Sequence, residues 1–133
     1  MIFKSLMPAI LLLLAWGLSN CQSAQAPADG STNGRKSMAP ERVDIRGSIF
    51  ASRYSDGQVV LEVEGTPPNI NSVYDRAYVL VTPTAQVVDQ EGRTISLNEL
   101  RPGQNVAILL RGGGRGTRVG IGVARRVWLE ELF

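Results

Sequence analysis

The chain has 133 residues, with 14 Lys and Arg against 12 Asp and Glu for a formal net charge of +2. That is room for one domain and too little charge to call by itself for a polyanion partner. There is no histidine and one cysteine, Cys21, which removes the usual neutral-pH general base and the commonest metal ligand, and excludes an intrachain disulfide or a cysteine-cluster zinc site.

Residues 1–20 carry the parts of a secretory signal. Lys4 gives a positive start, and residues 6–18 (LMPAILLLLAWGL) form an apolar core suited to a signal and short for a membrane span. Pro8 weakens a spanning helix further. The segment ends Leu18-Ser19-Asn20-Cys21. This resembles the lipobox of bacterial lipoproteins, in which a leucine three residues before a cysteine marks cleavage and the cysteine is lipidated. Asn20 departs from the small residue usual at its place. Two competing readings are cleavage after Ala24-Gln25-Ala26, which Pro27 opposes, and an uncleaved amino-terminal anchor. The resemblance implies that Cys21 is the lipidation site and that the chain is exported. Because Gln22 rather than Asp follows, it also implies the periplasmic side of the outer membrane in a diderm host.

Residues 21–40 are small, polar and without apolar periodicity, so they read as a disordered tether with an end-to-end distance of roughly 25 Å. Arg35-Lys36 reads as a solvated pair or a contact to anionic head groups. The remaining stretch, 41–133, is long enough to fold around a core of its own.

Its first expected strand covers 42–53, where Val43, Ile45, Ile49 and Ala51 alternate with polar residues and Gly47 marks a bend. The second covers 58–64. Matching apolar faces favours a three-residue loop, 55–57, between them, which sets Ala51 opposite Leu61 and Ile49 opposite Val63. Residues 65–73, with Pro67-Pro68, form a loop. The third strand, 76–82, is apolar on both faces and reads as central. A small hairpin around Gln90-Glu91-Gly92 follows, then a capping box, Ser96-Leu97-Asn98-Glu99, whose Leu97 and neighbouring Leu100 plug a barrel end. The fourth strand is 104–111. A two-residue turn at Gly113-Gly114 then pairs Ile108 with Val119 and Val106 with Ile121, leaving Gly120, Gly122, Arg126 and Trp128 on the outer face.

Three strands, a capped helical turn and two strands make an all-β, five-stranded OB-like barrel. A β-sandwich or another small barrel is the alternative. Gly47-x-Ile49, Val79-x-Val81-Thr82, residues 89–92 and 97–100, and Pro102-Gly103-Gln104-x-Val106 together resemble secreted OB-like domains of bacterial lipoproteins, over most of 44–129. The resemblance implies a fold and no catalytic residues.

Candidate sites are few. Arg111, Arg115 and Arg118 flank the glycines of RGGGRGTR, with Arg126 on the same hairpin face and Tyr54 near the rim of an OB groove. They read either as a solvated turn or as a rim for an anionic ligand. Glu62 and Glu64, two apart on a strand, read as a solvated edge rather than as paired catalytic carboxylates. Arg125-Arg126 and Glu130-Glu131 read as outward charge. No nucleophile–base pair is legible, so neither an enzyme nor a cofactor is expected. The sequence therefore points to a lipid-anchored, exported, non-catalytic binding module of the bacterial envelope, with a protein or glycan partner. The alternative is a soluble secreted binder of an anionic ligand (oligosaccharide, phosphate or nucleic acid) through the arginine rim. Export and few aromatics disfavour nucleic acid.

Overall fold

A computed structural model describes residues 34–65 and 71–133. The expected leader, Cys21 and the tether up to residue 33 lie outside the described residues, as do residues 66–70 of the proline-containing loop. Seven strands run in chain order: β1 (Arg35–Lys36), β2 (Ile45–Ser55), β3 (Gln58–Gly65), β4 (Arg76–Val81), β5 (Gln86–Val88), β6 (Asn105–Leu110) and β7 (Val119–Leu132). Five of them close a barrel in the order β2-β3-β4-β7-β6 and back to β2, with β4 and β7 parallel and every other barrel pair antiparallel. The all-β, OB-like barrel expected from the sequence is the fold. The short strands β1 and β5 are additions, both laid against β7.

Closure depends on β2 serving two neighbours. Its first residues pair with β6 through Ile45↔Ile108 and Gly47↔Val106, and from Gly47 to Ser55 it pairs with β3. Gly47 lies in both ladders, and a Cβ there would sit 2.0 Å from the Glu64 carbonyl oxygen. Only glycine lets three backbones converge so closely.

The β2–β3 hairpin corrects one expectation. Its connection is a two-residue turn, Asp56-Gly57, with φ of 54° and 79° and Ser55 opposite Gln58. Positive φ at both central residues is what a type I′ hairpin turn needs. Ile49 does face Val63, but Ala51 faces Glu62 and Ser52 faces Leu61. The register skips at Phe50, a β-bulge that absorbs the offset otherwise assigned to a longer loop.

The last hairpin corrects a second. Val106 pairs with Leu129, Ile108 with Val127 and Leu110 with Ala124, so no two-residue turn at Gly113-Gly114 aligns β6 with residues 117–121. The chain leaves β6 through a short 3-10 turn, Arg111–Gly113, and runs back beside β7, bridging once at Arg115↔Ile121. Positive φ at Gly112, Gly113, Gly114 and Gly116 makes this irregular return possible.

Other expectations hold. The small hairpin joins Val88 to Thr94, although β5 also pairs in parallel with β7. In the 3-10 turn Leu97–Glu99 the Glu99 carboxylate accepts the Ser96 N–H at 3.1 Å. Leu100 is fully buried in the main core and Leu97 packs against it. That core is built from the inward rows of the five barrel strands, among them Ile45, Ile49, Leu61, Val79 and Ile108. A second cluster on the outside of the barrel joins Val43, Val88, Ala107 and Trp128.

The expected tether and the barrel overlap. Residues 34–40 fall within the described fold, where Arg35 pairs with Leu132 and Lys36 with Glu131. Lys36 is ion-paired with Glu91 at 2.8 Å, and that pair pulls the lysine pKa up and the glutamate pKa down from their ordinary values. Glu130, expected to face solvent, is buried between Arg46 at 3.0 Å and Arg35 at 3.5 Å. Arg46 also donates to the Pro40 carbonyl, so one buried acid clamps the entry of the chain onto the closing strand.

Three substitutions test these contacts. Gly47→Ala should cost about 3 kcal/mol in urea unfolding, because backbone on both sides must move. Gly57→Ala, where a Cβ meets nothing within 4 Å, should cost only about 1 kcal/mol, for its positive φ. Glu130→Gln, which leaves two arginines facing each other without their acid, should cost about 3 kcal/mol by the same measurement.

Candidate functional site

Tyr74 decides which way β7 faces. The residue is buried in the core, and its ring lies so close to Gly120 that a Cβ there would meet it at 2.5 Å. Its hydroxyl donates to the Gly113 carbonyl at 2.8 Å. A Cβ at Gly122 would press on Leu110 at 3.1 Å. The small residues 120 and 122 therefore point inward, followed by the buried Ala124. The expectation that they lie on the outer face is reversed. Val119 and Ile121 point to solvent instead, at 50% and 56% exposure.

Strand pairing extends this outward row across three strands. On β3 and β4, Val60 stands opposite Leu80, Glu62 opposite Tyr78 and Glu64 opposite Arg76. On β4 and β7, Leu80 stands beside Val123, Tyr78 beside Ile121 and Arg76 beside Val119. Directly paired residues share a sheet face, so Val60, Tyr78, Leu80, Val119, Ile121 and Val123 form one apolar field on the outside of β3–β4–β7. All six are exposed or half-buried. The bridge Arg115↔Ile121 puts Arg115 at its margin, next to Ile121. A contiguous apolar patch with a charged border is a feature that soluble monomers normally keep small.

The border is largely neutralised. Arg53 pairs with Glu62 at 3.7 Å, Arg76 pairs with Glu64, and Arg118 donates to Asp75 at 2.9 Å. Among the described residues Arg115 takes part in no salt bridge. These pairs are exposed and contribute little to stability, but they leave the field with no strong sign of charge.

The residues singled out in the sequence separate accordingly. Arg115 and Arg118 border the apolar field. Arg111 turns away to donate to the Thr84 hydroxyl at 2.8 Å. Arg126 lies elsewhere, paired with Gln86 and Leu109, its guanidinium 4.9 Å above the Trp128 ring. Tyr54 belongs to the opposite job of fastening the barrel plug: its hydroxyl sits 2.7 Å from the Leu97 carbonyl and 2.5 Å from that of Leu100. Burial pushes the Tyr54 phenol up, against the pull of Arg101. Glu62 and Glu64 are ion-paired across strands, an arrangement that suits neither proton transfer nor attack. No group of three carboxylates or thiols among the described residues is arranged to hold a metal.

Sequence reasoning missed Val60, Tyr78, Val119 and Ile121 as site residues because it assigned β7's large side chains to the core. One signal was available: β4 is apolar on both faces, and its outer side chains need neighbours. No protein-family model, curated protein or solved structure matches the chain.

The orientation of β7 can be checked directly. Gly120→Ala should destabilise by about 2 kcal/mol by displacing Tyr74, whereas Val119→Ser and Ile121→Ser should stay within about 0.5 kcal/mol of the parent in urea unfolding. A large loss from the two serine variants would put those side chains in the core.

Proposed function

We propose that this protein is a non-catalytic binding module, exported and held at a bacterial envelope membrane by a lipidated Cys21, and that it receives a protein partner on the outer face of β3–β4–β7. The reading of the anchor is supported by the leader and the Leu18-Ser19-Asn20-Cys21 sequence. The observation that carries the reading of the face is its composition. Six apolar side chains from three strands share one surface, and the arginines around it are mostly matched by carboxylates. A polyanion is bound by unmatched positive charge, so this face favours a partner that buries apolar area. Interfaces of this kind have an apolar centre with aromatic residues and a polar rim. Tyr78 supplies the aromatic centre.

The anionic-ligand reading keeps one foothold, Arg115, which adjoins Ile121 and has no ion pair among the described residues. The two readings separate experimentally. A photo-crosslinking residue at position 121 in living cells should give a discrete protein adduct that disappears when Tyr78→Asp is added, while the same probe at the exposed Arg125 should not. Absence of a position-specific protein adduct would sink the protein-partner reading. Salt-sensitive heparin retention abolished by Arg115→Ser with Arg118→Ser would select the anionic one. For the anchor, cells given labelled fatty acid should label the parent chain and not Cys21→Ser, and the variant should leave the membrane fraction.

A further inference from the structure

The chain enters the barrel at a place with its own surface character. Gly34 accepts a hydrogen bond from the Phe133 N–H at 2.8 Å, and β1 lies against the last residues of β7. The point where the preceding chain arrives is therefore fixed beside Leu132 and Phe133. Met38, just after β1, reaches the turn at Gly92. These three side chains are among the most exposed apolar groups of the described residues: Met38 at 59%, Leu132 at 53% and Phe133 at 75%. They do not belong to the β3–β4–β7 face. Charges at this end are matched internally, Lys36 with Glu91 and Arg35 with Glu41 and Glu130.

We infer that this end of the barrel seats on the lipid surface, with Met38, Leu132 and Phe133 entering the interface of the bilayer. The inference rests on the anchor reading given above. Twelve residues, 22–33, separate Cys21 from Gly34, so a lipid on Cys21 holds Gly34 within at most about 45 Å of the membrane at full extension. On such a leash a weak apolar contact becomes effectively intramolecular and needs little affinity of its own. The chemistry of the end selects the lipid environment. Three apolar side chains without an unmatched basic cluster call for the acyl boundary, not for anionic head groups. Seating this end has a consequence for the other surface. Ile121 and Leu132 are eleven residues apart on β7, a path of up to about 35 Å in extended chain. The apolar face would then be held away from the membrane, open to a partner.

The test installs the anchor chemically, so it does not depend on lipidation in the cell. Cys21 is the one cysteine, and the chain from residue 21 onward can be coupled through it to a maleimide lipid in phosphatidylcholine vesicles. Phe133→Trp reports on the proposed contact, and Thr117→Trp, at an exposed position just before β7 begins, reports on the opposite end of that strand. Buried Trp128 gives a constant background, subtracted with the parent chain. With vesicle attachment verified by flotation, brominated acyl chains should quench Trp at 133 and shift its emission to shorter wavelength, while Trp at 117 stays unquenched. Quenching should survive about 0.5 M salt, where charge attraction is screened within a few ångströms. It should fall roughly twofold or more when Met38→Ser and Leu132→Ser are added, both at exposed positions that leave the fold intact. An unquenched, water-like Trp at 133 on an attached chain would overturn the inference. So would quenching that salt abolishes, since head-group charge would then be the attraction. A failed fatty-acid label in cells would strike only the anchor reading.

Discussion

The seating of Tyr74 on Gly120 is the contact from which the arrangement of the outer apolar surface follows. The phenol ring occupies the volume that a side chain at position 120 would otherwise fill, and Leu110 does the same at position 122. Close packing leaves no room for both, so the inward positions of β7 at this level are glycine. The outward positions can then be large, and they are. The same tyrosine ties its hydroxyl to Gly113, which holds the return loop over it and places Arg115 alongside Ile121. One side chain thus fills the core, orients the strand and locates the edge of the exposed field.

That orientation could not persist along all of β7, because the strand has four partners and fourteen residues. A bulge resolves the conflict. The register with β6 skips Arg125 between Ala124 and Arg126, and the parity of the strand inverts. Before the bulge, glycine and alanine face inward. After it, Val127 and Leu129 enter the main core, while Trp128 caps the outer cluster. The second bulge, at Phe50, does the same for β2, letting a tight Asp56-Gly57 turn coexist with the Ile49–Val63 pairing. Bulges raise local twist and bend a strand, which a barrel this small needs in order to close.

These devices explain which parts of the molecule the sequence made legible. Strand positions, their number, the capped turn and the plugging leucines are local, and each is written in a few adjacent residues. The barrel topology followed from their order. Register did not, because it depends on a one-residue slip that moves every side chain to the other face, and neither Phe50 nor Arg125 announces itself as a bulge. The error at the last hairpin had a physical cause. Val119, Ile121 and Val123 alternate as a core row does, and the pattern gives no hint that a tyrosine some 45 residues earlier in the chain takes the space they seemed to claim. Arg115 and Arg118 were identified from composition, but their apolar neighbours were hidden by that inversion. Arg126 does lie with Trp128 on the outer side, because the bulge restores its parity, but beside β5 and away from the arginine-rich loop.

What the inversion does to the reading of function is substantial. With large residues inward, the outer hairpin face would have been small and basic, suited to an anion approaching the backbone. With them outward, the face is apolar, and its arginines stand opposite Glu62, Glu64 and Asp75. Exposed pairs of this sort add little stability, and on the proposed reading their effect is on recognition. They remove the long-range positive field that would draw a polyanion, and leave polar groups able to make hydrogen bonds at a rim. On the proposed reading, electrostatic complementarity contributes specificity more than affinity, while the apolar centre supplies the area that drives association. A face assembled this way discriminates by shape and local pairing, which is the discrimination a protein partner demands and a repetitive polyanion does not.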